Sequence, residues 1–420
     1  MSNARYVTAR SGGARSVATP GPAATTRAAS APHAISVRRV ALYSHDTMGL
    51  GHVRRNILLA GALVQPPLAA EVLLLSGIRE AGAFTLPPGI DSVTLPAYRK
   101  ALDGTYHPRA LGTDLQRLVR LRGNTIATAL REFVPDLLVV DNVPRGALDE
   151  LDHVLPLLER MGTRVVLGLR DVIDTARAVR SQWARARNPE AIRQYFDAIW
   201  IYGDRRVHET ALDLDETSRN KTAYVGYLDQ RRRGPAIGAR CETPYVLCAV
   251  GGGQDGMALT EAFAQARMPR GHHGVILSGA MMPAEARARL HRYAAQRDDL
   301  RVLEFASEPL GLIAGAASVV AMGGYNTTTE ILSLGKRALI VPRVVPRQEQ
   351  WIRARRLAGL GLVDCVHPDQ LTVDRLSRWM AGGRELGDAR SMLNFGGLDR
   401  VCQLAGNLIG ATTPGCRDAA

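Results

Sequence analysis

The chain predicts an α/β fold of two Rossmann-like, doubly wound domains facing each other across a cleft. Three observations carry that expectation. Short apolar runs alternate with longer amphipathic ones from Val40 onward. The alternation breaks once, in a charged stretch holding Gly and Pro, and then restarts. Several of the apolar runs end in glycine-bearing loops that lead into helical segments. Apolar runs joined by helical crossovers describe a parallel sheet covered on both faces.

Composition bounds the reading. A chain of 420 residues is long for one core and suggests two domains. A hydrophobic fraction of 46% is that of an ordinary globular protein. The formal charge of +13 suggests anionic partners, yet the arginines are spread unevenly. Arg5, Arg10, Arg15, Arg27, Arg38 and Arg39 all precede the first acidic residue, Asp46. With 5% aromatics and no zinc-finger, basic-zipper or RNA-recognition signature, nucleic-acid binding is disfavoured. An anionic ligand, a phosphorylated substrate or an acidic membrane surface explains the charge better. Cys241, Cys248, Cys365, Cys402 and Cys416 form no C-x-x-C pair, which argues against a zinc site or disulfide framework and fits a reducing cytoplasm. The long uncharged stretch 309–329 is broken by glycines and makes a poor membrane span.

In chain order, residues 1–37 are rich in Ala, Ser and Arg without periodicity and are expected to be a disordered tail. An N-terminal, acceptor-side domain is expected over 38–228, with strand candidates VALYS, EVLLLSG, DSVTLPA, DLLVVDN, RVVLGLRD, AIWIYGD and TAYVGY. Residues 229–243, beginning DQRRRG, form a linker. A second domain follows over 244–402, with strands in YVLCAVGGG, GVILSGA, RVLEFAS, SVVAMGG, RALIVPR and LVDCVH. Residues 403–420 are expected to be a loose tail.

Ligands of doubly wound sheets sit where strands end and helices begin. Four such loops carry unusual chemistry. In HDTMGLGHVRRN (45–56), Gly49 and Gly51 permit close approach of backbone to ligand, and His52 falls in the first helical turn. A helix dipole there favours the neutral imidazole that a general base needs, although a helix-capping histidine fits the spacing too. In GGGQDG (251–256), Gly252, Gly253 and Gln254 make either an oxyanion-binding nest or a flexible turn. In MGGYNTTTE (322–330), Gly323 and Gly324 open a loop and Asn326 and Thr327 bring donors to a helix start, which suits a diphosphate. Glu330 then stands where it can accept from a ribose diol, and Thr327 with Glu330 also fits a capping box. In VPRVVPRQEQ (341–350), Glu349 beside Gln350 suits vicinal hydroxyls, or simply begins a solvated helix. No P-loop lysine motif, H-E-x-x-H or other metal spacing stands out.

Together the four loops resemble the GT-B glycosyltransferases, most closely the branch containing the peptidoglycan N-acetylglucosaminyltransferase MurG with its family 28 C-terminal domain. The resemblance covers roughly residues 38–400 and is strongest over 323–350, where the glycine loop, Glu330, Gly335, Pro342 and Gln350 keep the family spacing. It implies a nucleotide diphosphate-sugar donor, uridine-linked by default, and no required metal. It puts His52 near the reacting centre and Gly252 and Gly253 at the opening of the donor domain. Asn326 and Thr327 match diphosphate contacts, Glu330 the ribose carboxylate, Glu349 and Gln350 the sugar-binding pair, and Ala306 the backbone that meets the nucleotide base. Eight residues beyond Glu330 stands Ala338 where retaining enzymes carry a second glutamate, which favours inversion.

The expected activity is therefore transfer of a sugar to a hydroxyl acceptor with His52 as base, and with Asp46 or Asp171 orienting it or acting instead. The acceptor class stays open among lipid carriers, polysaccharide precursors and secondary metabolites. Arg54, Arg55, Arg99, Lys100 and Arg109 either face a lipid phosphate at the inner face of a membrane or are a solvated surface. Rival readings are a nucleotide-sugar hydrolase or 2-epimerase of the same fold, and a non-catalytic sugar-nucleotide-binding partner.

Overall fold

The inner apolar runs become strands buried on both faces, and the edge runs become strands that keep half-buried or exposed residues. A computed structural model describes residues 37–46, 50–78, 82, 84–100, 105–234, 243–306, 308–382 and 385–410. The expected tail up to Ser36, most of the linker beyond Gly234, and the chain after Gly410 lie outside the described residues.

The first half forms strands β1 (Arg39–Ser44), β2 (Glu71–Ser76), β3 (Ile90–Thr94), β4 (Tyr98–Lys100), β5 (Tyr106–Pro108), β6 (Leu137–Asp141), β7 (Arg164–Arg170), β8 (Ala198–Tyr202) and β9 (Thr222–Tyr224). Seven of them make one parallel sheet in the order β3-β2-β1-β6-β7-β8-β9. Every residue of β6, Leu137 to Asp141, is buried, as a strand covered by helices on both faces requires. The short antiparallel hairpin β4–β5 was not expected; it covers a buried Arg122–Glu150 pair through the Tyr98 hydroxyl.

The second half forms β10 (Tyr245–Ala249), β11 (His273–Leu277), β12 (Leu300–Leu303), β13 (Ser318–Ala321), β14 (Ala338–Ile340) and β15 (Asp364–Cys365). These also pair in parallel, in the order β12-β11-β10-β13-β14-β15. Each sheet starts at an inner strand, builds outward one way, and then returns to the other side of that strand. The order reverses between β1 and β6 in the first sheet and between β10 and β13 in the second. Crevices at the carboxyl ends of such reversals are where doubly wound sheets hold ligands.

One apolar layer runs through both domains, from Val40 and Leu42 through Tyr227 and Tyr325 to Leu247 and Val319. The outer faces have separate cores around Leu138 and Ile199 and around Cys248 and Phe263. Two boundaries differ from the expected ones. The last helix, Gly397–Leu408, runs through the stretch expected to be loose, burying Leu398, Val401 and Ala405. It lies against the helix Gly51–Leu63 of the first domain. The linker begins as a short helical turn, Gln230–Arg233, whose Gln230 N–H donates to Ser333 Oγ at 3.2 Å. Small and charged residues read as loose by composition, but a helix with one apolar stripe is stable once a partner covers it.

Candidate active site

The helix Gly51–Leu63 begins without a side-chain cap of its own. Asp46, at the end of β1 with φ 39°, supplies one from upstream: Oδ1 accepts from Val53 N–H at 3.1 Å. Its Oδ2 accepts from Ser44 Oγ at 2.5 Å and Ser76 Oγ at 2.8 Å. Burial raises the Asp46 pKa, and the nearby His52 opposes the rise. With both oxygens used inside the fold, Asp46 secures the loop and the helix start; it does not meet His52 directly. Gly49 lies outside the described residues.

His52 meets a residue that the sequence reading passed over. Its Nδ1 lies 2.5 Å from Asp141 Oδ2, at the end of β6. Arg55, one turn further along the same helix, donates Nη2 to both Asp141 oxygens at 2.5 and 2.6 Å. Burial resists ionisation of Asp141, but Arg55 and then His52 outweigh it and hold the carboxyl well below the usual carboxylate range. Asp141 can only accept, so Nδ1 carries the hydrogen, and in the neutral imidazole the lone pair then lies on Nε2. The His52 side chain is 19% exposed against 2% for Asp141, so the imidazole is the solvent-facing member. Because β1 and β6 are neighbours, this Arg55–Asp141–His52 group sits at the reversal of the first sheet. Arg55 is thus an internal cation, stacked 5.4 Å from the Tyr325 ring, and not a lipid-facing one.

Asp171 is held elsewhere. It is fully buried and accepts from Arg353 Nη2 at 2.7 Å, Arg353 Nε at 2.9 Å and the Tyr227 hydroxyl at 2.8 Å. Arg353 belongs to the second-domain helix Glu349–Gly359 and also donates Nη1 to the Gly323 carbonyl at 3.1 Å. Asp171 is therefore an interdomain brace, and neither it nor Asp46 orients His52; Asp141 does. Further contacts cross the same seam: Tyr325 OH to Tyr202 O at 2.8 Å, Gln348 N–H to Asp174 Oδ1 at 3.1 Å, and Arg54 Nη2 to Ala306 O at 3.2 Å.

The loops of the second domain are built differently. Gly253 has φ 92°, and a Cβ there would fall 2.2 Å from Ser278 O. Gly252 is exposed beside it, Met281 N–H donates to its carbonyl at 2.8 Å, and Gln254 is half-buried. Gly323 has φ 80° and no room for a Cβ against Ile340, so the chain can turn into the helix Tyr325–Ser333 there. Gly324 is the cap, and Thr327 and Glu330 both lie inside the helix, so no capping box forms. Asn326 and Thr327 stay half-buried in the first turn. Asn326 also touches the first domain: a Cβ on Gly51 would fall 2.5 Å from its Nδ2.

Glu330 is buried, and its Oε1 accepts from Arg233 Nη1 at 2.9 Å. Burial raises its pKa, with Arg233 and Arg54 opposing. A cavity of about 620 Å³ opens beside it, lined by Arg54, Ile57, Phe84, Arg233 and Glu308. Ala306 is not in that lining but is tied to it, its carbonyl accepting from the lining residue Arg54. Arg343, also missed from sequence, ties the fourth loop together. It donates Nη2 to Glu349 at 2.8 Å, its backbone N–H to Gln350 Oε1 at 3.0 Å, and Nη1 to Asp255 of the GGGQDG loop at 2.9 Å. Glu349 Oε2 is buried and keeps its lone pairs unused.

Two parallel, doubly wound domains with loops converging on a shared cleft define the GT-B fold. Comparison with known proteins agrees. The chain is 28% identical over 141 residues to the UDP-N-acetylglucosamine–N-acetylmuramyl-(pentapeptide) pyrophosphoryl-undecaprenol N-acetylglucosamine transferase of Cronobacter sakazakii, a match spanning 34% of this chain and 40% of that protein. The glycotransferase of kitacinnamycin superposes with TM-score 0.61 at 18% identity, covering 89% of this chain and 99% of that one. MurG of Acinetobacter baumannii gives 0.53 at 16%, covering 88% and 99%. A putative UDP-N-acetylglucosamine 2-epimerase from Listeria monocytogenes gives 0.59 at 10%, covering 92% and 100%. No family model matches the chain. The resemblance read from the loops therefore recurs in both sequence and fold. Among the described residues, no helix is long and apolar enough to cross a membrane.

Proposed function

We propose that this protein is an inverting glycosyltransferase of the MurG-like type, moving a sugar from a nucleotide diphosphate-sugar to a hydroxyl acceptor without a metal ion. The observation that carries this reading is the Arg55–Asp141–His52 group at the reversal of the first sheet, facing glycine loops at the reversal of the second. His52 Nε2 accepts the proton of the acceptor hydroxyl as its oxygen attacks the anomeric carbon. The bond from that carbon to the diphosphate oxygen breaks, and the leaving group keeps the electron pair. Asp141 holds the imidazole in the required tautomer and stabilises the imidazolium that forms.

The donor spans the seam, with its diphosphate and sugar on the second domain and its nucleoside against the first. Its diphosphate meets Gly252, Gly253, Asn326 and Thr327, where backbone N–H groups and a helix start offset the developing charge. Its nucleoside takes the 620 Å³ cavity beside Ala306 and Glu330, which is of the size small-ligand sites have. Glu330 reaches the ribose once Arg233 gives way, and Glu349 with Gln350 reads the sugar.

The test is turnover by the purified chain over UDP-, dTDP- and GDP-sugars in EDTA, with and without a cell extract as acceptor source. The expected result is nucleotide diphosphate released only with extract, and lost in His52→Ala. Equal release without extract, with free sugar as product, would make the protein a hydrolase using the same base on water. No release from any donor would leave a sugar-nucleotide-binding protein.

A further inference from the structure

Arg170 is the last residue of β7, next to β6, which ends at Asp141, and paired in register with Tyr202 of β8. It therefore emerges into the cleft between the base and the interdomain brace. The neighbouring cations are all matched: Arg55 by Asp141, Arg353 by Asp171, Arg343 by Glu349 and Asp255. Arg170 is not. Its Nε is buried without a partner, and among the described residues no hydrogen bond or ion pair reaches its guanidinium. Glu349 exerts the largest attraction on it from across the cleft but does not bond to it. Burial pulls its pKa down to about 10, which leaves the group charged at neutral pH.

A cation half-buried in a cleft with no carboxylate bonded to it, Glu349 Oε2 included, is unfavourable until a ligand brings an anion within reach. The planar fork of a guanidinium matches two oxygens of a phosphoryl group. We propose that Arg170 recognises a phosphoryl group of the substrate, donating to its non-bridging oxygens as the two domains close on it. That group is either the diphosphate of the donor or a phosphate carried by the acceptor. The donor source rests on the function proposed above.

Calorimetric titration of the full chain separates the cases. The probes are UDP, dTDP and GDP, each beside its nucleoside, and dodecyl phosphate as an acceptor-type anion. Wild type is compared with Arg170→Met and Arg170→Lys. If the donor is the source, the Met variant binds the preferred nucleotide diphosphate about 10- to 100-fold more weakly, with the nucleoside unchanged. The Lys variant recovers part of the loss, because it restores the charge but not the fork. If the acceptor is the source, nucleotide affinity holds and dodecyl phosphate affinity falls. Should the Met variant fail to fold, the Lys variant carries the test through the same selective loss. Wild-type affinity for both anions in both variants would overturn the assignment while leaving the glycosyltransferase reading intact. A wild-type protein that binds neither anion would remove both.

Discussion

The two sheet reversals occupy equivalent places in their domains but are furnished in opposite ways. The first holds charged side chains in direct contact, with Arg55, Asp141 and His52 all within 3.1 Å of one another. The second holds glycines, whose positive φ values and lack of Cβ turn backbone towards the cleft, and the neutral Asn326 and Thr327. A titratable pair suits moving a proton; a ring of backbone donors suits a leaving diphosphate, which needs fixed dipoles and no proton. Under the proposed function, local chemistry divides one fold unit used twice into a reacting half and a holding half. The brace Asp171–Arg353 keeps the halves in register, since Arg353 grips Asp171 of one and the Gly323 carbonyl of the other.

The comparison breaks most severely at that brace. Arg353→Met leaves Asp171 buried with Tyr227 and no cation, and should cost about 3–5 kcal/mol of stability in urea unfolding. A variant as stable as wild type would mean the halves are not braced there. Next, His52→Ala should lower kcat by about 100-fold or more with donor KM changed by about 2-fold at most. An effect confined to KM would move His52 from reacting to holding. Third, Gly253→Ala puts a Cβ 2.2 Å from Ser278 O at φ 92° and should cost about 1–3 kcal/mol, raising donor KM before it touches kcat.

The smallest effect sharpens the contrast by its sign. Asp141 has its pKa lowered in the fold, so its contribution is fully present above the ordinary carboxylate range and fades as pH falls through the folded value. The stability deficit of Asp141→Asn should therefore be widest near about pH 7 and shrink towards about pH 3. Glu330 has its pKa raised, chiefly by burial, so the folded state gains stability relative to the ionised form as pH falls. Glu330→Gln should compare best with wild type at neutral pH and worse in acid. Urea midpoints across that range read both, and parallel trends would contradict the assigned environments.

Much of this was legible in the chain. Every expected strand of both sheets appears, because an apolar run of four to seven residues between turn signals has few other ways to bury itself. The glycine loops were legible because positive φ and close approach leave a direct mark in residue type. Asp141 was not singled out, although DLLVVDN was read as a strand, because its role depends on which strand lies beside β1. The strand order places β6 there and brings Asp141 to His52, 89 positions away in the chain.

The sequence by itself determined the elements and the residue types at their ends, since hydrophobic period and turn chemistry act over a few residues. Tertiary structure alone decided which of several equivalent acids pairs with which cation. Asp46 caps a helix, Asp171 braces the domains, Asp141 pairs with His52, and Arg170 is left without a bonded carboxylate. Ion pairs are made through space, and a charge's partner is set by the sheet order and the domain seam that bring it near.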